Sequence, residues 1–453
     1  MKLALLTTDV ALLSALAGLV CYFWSLRHNK LARQRWQTVL RTSTGGSAAI
    51  VLLVYVTIAG LDSCRFKAEG ETFTALDKLL WPLRSQVETT YSAPFAAYGY
   101  AKETRYAAGG KTARDYPRLL YGGRHLRDPA QDRAGDLRWR GALGGLLGLA
   151  GFSALLGLIA VVRGRNLAHF WLPLATRAWR AQALVLGIVC VLCGLICALA
   201  SAYHLLGTDK VGSDVLYLTL KSIRTGLVLG VVSSLIALPL AVTLGIAAGY
   251  LGGWVDDLVQ YLYTTLSSIP GVLLIAAAAL SLDLLLQQRA GAFASLVSRA
   301  DMKLLALCLV LGLTGWTSLC RLLRAETLKL RTIEFVTAAR ALGGTPGQIL
   351  VRHLLPNTFH LVIITTVLSF SDLVLAEAVL TYIDIGVDPS MESWGNMING
   401  ARLELAREPV VWWSLVAALC GMFGLVLAAN LFADAVRDAF DPRLRGVLLA
   451  TPR

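Results

Sequence analysis

An all-α protein that crosses a membrane many times is the fold class these 453 residues predict, and three observations predict it. The chain is 56% hydrophobic and only 16% charged, with a mean hydropathy of +0.61, too apolar for an ordinary soluble domain. Nine windows (3–24, 44–61, 141–162, 181–204, 227–250, 261–286, 304–323, 361–382 and 411–432) approach the roughly 20 apolar residues that cover about 30 Å of hydrocarbon. Lys and Arg crowd the short connections: Arg27, Lys30, Arg33, Arg35 and Arg41 after the first window; Arg163, Arg165, Arg177 and Arg180 before the fourth; Arg321, Arg324, Lys329, Arg331 and Arg340 after the seventh; Arg437, Arg443 and Arg445 after the last. Basic loops stay on the cytoplasmic side, so nine spans place the amino terminus outside and the carboxyl terminus inside. The formal net charge of +13 is then topological, and no nucleic acid is expected as a partner.

The first window carries its basic residues behind it and lacks an A-x-A site, which reads as an anchor in the lipid bilayer and not a cleaved signal. Gly18, Leu19 and Val20 do not offer Cys21 the small residue that precedes a lipidated cysteine. Windows two and three enclose a hydrophilic stretch, 62–140, with charges of both signs and Tyr91, Tyr98, Tyr100, Tyr106, Tyr116 and Tyr121. It either folds as a small extracytoplasmic subdomain or packs over the outer mouth of the later spans. The chain thus divides near Arg165 into 1–165, with three spans around that loop, and 166–453, with six spans and short connections. Within the loop, AAGGKT at 107–112 ends like a P-loop, but Arg105 stands where G-x-x-x-x-G-K-[ST] needs its first glycine, and no strand is expected before it. It reads as a turn.

Cys190, Cys193 and Cys197 lie inside the fourth window with no His or carboxylate beside them, and read as small packing residues. Cys64 has no partner within the outer loop. Neither H-E-x-x-H nor G-x-S-x-G occurs, and the six histidines lack ligand spacing, so no metal or catalytic centre is expected.

Between the seventh and eighth windows lies EFVTAARALGGTPGQILVRHLLPN, 334–357, too polar to span. Residues 333–342 are good helix formers with Phe335, Val336, Ala339 and Leu342 on a narrow apolar stripe. Gly343 and Gly344 stop that helix. Thr345 restarts the chain as a cap, Pro346 suits the first helical position, and Gln348 completes a T-x-x-Q capping box. The second helix runs through Ile349, Leu350, His353 and Leu354 to Pro356. Two readings stand at this point: a knob that docks in another protein's groove, or a connector lying on the membrane surface.

This stretch resembles the EAA loop of ABC-importer permeases, E-A-A followed by three residues, Gly and a run ending in L-P. Ala338, Ala339, Gly343, Leu355 and Pro356 match, while Thr337 stands where a Glu is usual. Further along the chain, HLLGTDKVGSDVL (204–216) is similar to H-P-L-G-T-D-x-x-G-R-D-V-L, with Leu205 for Pro and Ser213 for Arg. GYLGGWVDD (249–257), LAEAVLTYIDIGV (375–387, with Asp384 for a Gly), SWGNMI (393–398) and NLFADAVRDAFDPRLR (430–445) follow in order. Together they resemble the C-type permease subunit of the dipeptide, oligopeptide and nickel ABC importer family over roughly 181–445.

That resemblance implies a six-span permease core preceded here by three extra transmembrane helices and an extracytoplasmic loop, in the cytoplasmic (inner) membrane of a bacterium. It implies a second permease subunit, two cytoplasmic ATP-binding subunits that hold ATP and Mg, and an extracytoplasmic substrate-binding protein. The chain itself holds no cofactor and is no enzyme. Glu334, Thr337, Ala338, Ala339, Arg340, Leu342, Gly343, Gly344, Thr345, Gln348 and Pro356 would form the ATPase-coupling element, with Glu334 or Arg340 replacing the missing Glu.

Asp372 and Glu377 lie in an apolar span, where a charge costs about 3 kcal/mol on insertion scales and faces a partner or water. Five residues apart, they do not share one narrow stripe. Glu377, inside L-A-E-A, is the preferred wall or gate of a translocation path, against the alternative of a packing hydrogen bond; Asp372 reads as structural. Gly207, Thr208 and Asp209 form either an ordinary turn capped by Ser213 or Asp214, with a short helix behind it, or, by resemblance, a gate beneath the binding protein. Trp394 is expected to anchor at the outer interface. The rival to an ATP-driven peptide importer is an ion-coupled secondary transporter, whose repeated halves would show a second copy of the 334–357 pattern. A scaffold that transports nothing leaves the capped element unexplained.

Overall fold

The computed structural model describes residues 2–25, 27–28, 30–68, 71–106, 112–162, 177–288 and 295–440. Of the expected features, Arg163, Arg165, Arg443, Arg445 and most of AAGGKT lie outside them. The chain is overwhelmingly helical: α1 (Thr7–Ser25), α2 (Lys30–Arg41), α3 (Ser43–Ser63), α4 (Ala75–Leu79), α5 (Trp81–Ser85), α6 (Pro129–Val162), α7 (Arg177–Leu199), α8 (Val215–Leu251), α9 (Gly253–Ser268), α10 (Gly271–Gln288), α11 (Leu296–Gly315), α12 (Thr317–Leu330), α13 (Glu334–Ala341), α14 (Pro346–Ile349), α15 (Leu355–Tyr382), α16 (Trp394–Glu404) and α17 (Trp413–Phe440). Eight of these helices, counting α14 and α15 as one continuous rod, are long and apolar enough to cross a membrane. Two expected spans differ from their windows. The 261–286 window is broken at Ile269–Pro270, where proline interrupts helical hydrogen bonding, and the 304–323 window is divided at Trp316 between α11 and α12. The first turns of α11 also carry Arg299, Asp301 and Lys303, which keeps it out of the eight.

Two compact units cut across the division expected near Arg165. The first comprises 1–5, 41–225 and 392–425. Here α6 and α7 pack most closely, because Gly144 and Gly148 meet Gly194: a Cβ on Gly194 would stand 2.4 Å from the Gly144 carbonyl oxygen. Small residues at such a contact let two backbones approach within dispersion range. The hydrophilic loop is folded. Strands β1 (Lys2–Leu3), β2 (Arg65–Ala68) and β3 (Glu71–Thr74) form an antiparallel sheet with Phe66 opposite Phe73, and β4 (Glu103–Tyr106) pairs with β5 (Thr112–Asp115). A strand therefore does precede 107–112, contrary to expectation, but β5 and not a helix follows it, so a P-loop is still missing its glycine and its helix. Tyr91, Val215, Val411, Trp413 and Ala417 make one apolar cluster of this unit.

The second unit comprises 6–40, 226–391 and 426–453. Its core gathers Ala241, Ile246, Val259, Leu323, Val336, Ile349 and Leu354. The amino-terminal helices belong to it. The start of α1 meets Asp301 of α11, whose carboxylate accepts hydrogen bonds from the Thr8 amide at 3.2 Å and from the Thr7 hydroxyl at 2.5 Å. Negative charge is favourable at a helix amino terminus, where amide donors are unpaired. Helix α2 lays Trp36 and Val39 against Val436 and Phe440 of α17. Asp256 of α9 accepts two hydrogen bonds from Arg324 of α12, the Nη2–Oδ2 distance being 2.7 Å, which ties the GYLGGWVDD turn to the basic helix.

Candidate functional site

In the second unit the 334–357 element is a closed hairpin. Ile333 (φ −77°, ψ 147°) turns the chain into α13, and the helix ends in a paired closure: the Gly343 amide donates to Arg340 O and the Gly344 amide to Ala339 O, each at 3.0 Å. This six-to-one and five-to-two pattern requires a left-handed residue, and Gly343 supplies it at φ +80°. The capping box forms as the residues predict. The Gln348 amide donates to Thr345 Oγ1 at 3.4 Å, and the Thr345 amide donates to Gln348 Oε1 at 3.2 Å, with Pro346 in the first helical turn. Residues Leu350–Leu354 then widen into a single π-helical stretch before α15. Pro356 has no amide to donate and crowds the carbonyl four residues back, a strain that a wider turn relieves.

The apolar stripe is split. Val336 is fully buried and Ala339 packs against the core, whereas Phe335 is exposed and Leu342 is 89% exposed. Glu334, Thr337, Ala338 and Gln348 also face outward. The Thr337 hydroxyl donates to Glu334 O at 2.9 Å, and Arg340 lies over the Tyr250 ring at 5.5 Å. Both residues expected to replace the missing Glu, Glu334 and Arg340, are exposed.

A cavity of about 420 Å³ opens in the same unit where the helices are broken: Ile269 before α10, Trp316 between α11 and α12, Ser234 on α8, and Thr366, Ser369 and Asp372 on α15 line it. The positions of the two intramembrane carboxylates reverse the expectation. Glu377 is 1% exposed and accepts a hydrogen bond from Thr381 one turn further on, at 3.1 Å, so it faces protein and not the cavity. Asp372 is exposed on the cavity wall. Its stripe, Thr366, Ser369, Asp372 and Ala376, repeats at helical spacing, and that polar periodicity was the available signal. Ser234, Thr314 and Thr317, from other helices, could not be assigned to a common surface from the chain alone.

In the first unit the GTD segment is held down by the hydrophilic loop. Gly207 (φ +72°) lies so close to that loop that a Cβ would stand 2.4 Å from Ser92 O. Thr208 is buried: its hydroxyl donates to Thr90 O at 2.8 Å, and Trp413 Nε1 donates to Thr208 O at 2.9 Å. The Thr208 side chain is thus committed to packing, while Asp209 closes the turn by accepting from the amides of Val211 and Ser213 at 2.9 and 2.8 Å. Asp214 caps α8, taking the Leu216 amide at 2.9 Å and the Tyr217 amide at 3.2 Å, and the expected short helix is the start of the 37-residue α8.

His204 bridges two buried carboxylates, Nδ1 to Asp214 Oδ2 at 2.8 Å and Nε2 to Glu88 Oε1 at 3.4 Å. Burial alone would lower its pKa, but these hydrogen bonds outweigh it and raise the imidazole to about 9. Glu88 also accepts the amides of Leu120, Tyr121 and Gly122; against the opposing effect of burial, these and His204 hold it at about 2. Nothing local in the chain signalled Glu88, because its partners lie 32 to 116 residues away.

Trp394 does not anchor at an interface. It is 1% exposed, donates to Thr219 O at 3.2 Å and stands edge-on to Tyr55.

Known proteins share much of this chain. Residues 241–446 match the family described as binding-protein-dependent transport system inner membrane component. A Brucella suis protein named as a peptide permease is 32% identical over 240 residues, 53% of this chain and 73% of the relative. A dipeptide transport system permease protein of Lactococcus lactis subsp. cremoris is 30% identical over 240 residues, 53% of this chain and 64% of the relative. An oligopeptide transport system permease protein of Bacillus subtilis is 27% identical over 243 residues, 53% and 72% respectively.

Proposed function

This chain belongs to the family of binding-protein-dependent transport system inner membrane components, as a C-type permease of the peptide ABC importers, and from that premise we propose that it forms half of the translocation path of an ATP-driven importer of di- or oligopeptides. It is a multi-pass membrane protein and one component of a multi-subunit transporter. The finer reading is a heterodimer with a second permease, served by two cytoplasmic ATPases that carry ATP and Mg, and fed by an extracytoplasmic binding protein. The chain sits in a bacterial inner membrane with its amino terminus outside, and performs no chemistry itself.

The observation that carries this reading is the hairpin at 334–357. Val336, Ile349 and Leu354 are locked in the core while Phe335, Ala338 and Leu342 stand in the open, and both turns between them are closed by hydrogen bonds. An element rooted on one side and bare on the other transmits a displacement instead of absorbing it. ATP-driven closure of the ATPases would move Phe335 and Leu342, and the core beneath Val336 would follow.

Gly343→Pro tests it, because proline requires a φ near −65° where the native turn has +80°. The expected result is a subunit that inserts and assembles but loses at least about 10-fold of solute-stimulated ATP hydrolysis and uptake in proteoliposomes, a coupling loss of about 1.4 kcal/mol or more. Undiminished stimulation would overturn the coupling role. Uptake driven by an ion gradient without ATP would favour the secondary transporter instead.

A further inference from the structure

The cavity between the broken helices has a chemical character that the importer reading leaves open. Hydroxyls dominate its polar lining, from Ser234, Thr314, Thr317, Thr366 and Ser369, and among the described residues on its wall Asp372 carries the only formal charge. No basic group among the described residues pairs with that carboxylate. The contrast with Glu377, five residues on, is informative. Glu377 is buried and bonded within its helix, so its retention in an apolar span is explained by structure, whereas Asp372 is held at membrane depth facing open space. A lone carboxylate on a low-dielectric wall focuses negative potential into the space before it.

We infer that Asp372 receives the cationic end of the transported solute, so that the cavity favours molecules carrying an ammonium group, such as a free peptide amino terminus, and disfavours anionic ones. This rests on the importer reading, which makes the cavity part of the path. The hydroxyls supply neutral donors and acceptors for amides and impose no second charge requirement. At one helical turn from Asp372, a cation is attracted and an anion repelled, and the two effects multiply in any ratio of rates.

The test uses the intact assembly with Ser369→Cys, one turn from Asp372. Its labelling by a trimethylammonium-ethyl and by a sulfonatoethyl methanethiosulfonate is followed by site-resolved mass spectrometry and normalised to a free thiol. The cationic reagent is expected to react about 10-fold faster than the anionic one. Asp372→Asn should bring the ratio close to one, and Asp372→Glu should retain it, with assembly of each variant checked by size-exclusion chromatography. A ratio unchanged by Asn, or an introduced thiol that neither reagent reaches, overturns the inference. Either result leaves ATP-driven uptake, measured separately, as the criterion for the importer reading itself.

Discussion

His204 shows how much one side chain outside the membrane spans contributes to the first unit. Its two carboxylate partners come from opposite origins: Asp214 from the family-like GTD segment and Glu88 from the loop that the usual six-span pattern lacks. Because the folded imidazole titrates near 9 against an ordinary value of 6.5, its contribution to stability is complete below 6.5 and disappears as pH rises through 9. Glu88 behaves in the opposite sense: depressed from 4.5 to about 2, it contributes fully above 4.5 and is lost as pH falls through 2. The thermal midpoint of the purified chain should therefore fall on the alkaline side between 6.5 and 9, and His204→Ala should lose about 3 kcal/mol and flatten that fall. A variant with the wild-type alkaline slope would assign the slope to other groups. Asp384 makes a related point. It stands where the resembling pattern has glycine, and its φ of +62° shows that the position demands a left-handed residue, which Asp tolerates better than most.

Among the elements, the α6–α7 pair is the clearest case of backbone approach deciding a contact. Gly144, Gly148 and Gly194 leave no room for a side chain, the shortest approach of an added Cβ being 2.4 Å to a carbonyl oxygen that has no freedom to move. Gly194→Leu is accordingly expected to separate the two helices and lower the thermal midpoint in detergent, by about 2 kcal/mol or more of stability. Gly187→Leu, where the neighbouring atoms belong to the Phe152 ring at 3.7 Å or beyond, should cost far less. Equal losses in the two variants would show that helix proximity is not what the glycines provide. The 334–357 hairpin was almost wholly readable, because capping boxes and glycine stops act over three to six residues. What could not be read was the facing of its stripe: Val336 and Phe335 are neighbours in sequence and lie on opposite sides of a small element.

For the whole molecule, the two compact units do not respect the boundary that hydropathy suggests. Within the first unit, the loop and the third helix supply partners to residues far along the chain. Asp77 accepts from the Tyr217 hydroxyl at 2.7 Å and pairs with Lys221 at 3.3 Å; Tyr91 donates to Glu404 at 3.2 Å; Tyr55 donates to Gly421 O at 2.8 Å. The loop and the third helix are therefore built into this unit and are not an appended domain. Removing 1–165 should abolish accumulation of 166–453 in the membrane, and supplying 1–165 as a separate polypeptide should restore it. Normal accumulation of 166–453 by itself, measured by membrane immunoblotting, would contradict this. Asp77→Ala alone, which leaves the largely buried Lys221 without its nearest carboxylate, is expected to cost about 3 kcal/mol in thermal or denaturant unfolding.

By itself, the sequence determined the membrane class, most of the spans, the capped hairpin and the family, since each depends on composition, periodicity or a motif of a few consecutive residues; the breaks at Ile269–Pro270 and Trp316 it did not place. Asp372 and Glu377 mark the limit of that reading. Both are carboxylates in one apolar helix, and locally only the polar stripe of Thr366 and Ser369 beside Asp372 separates them. Only tertiary structure decided that one faces a cavity and the other faces protein, that Trp394 is core, and that Glu88 serves His204, because burial and partnership are set by atoms that arrive from distant parts of the chain.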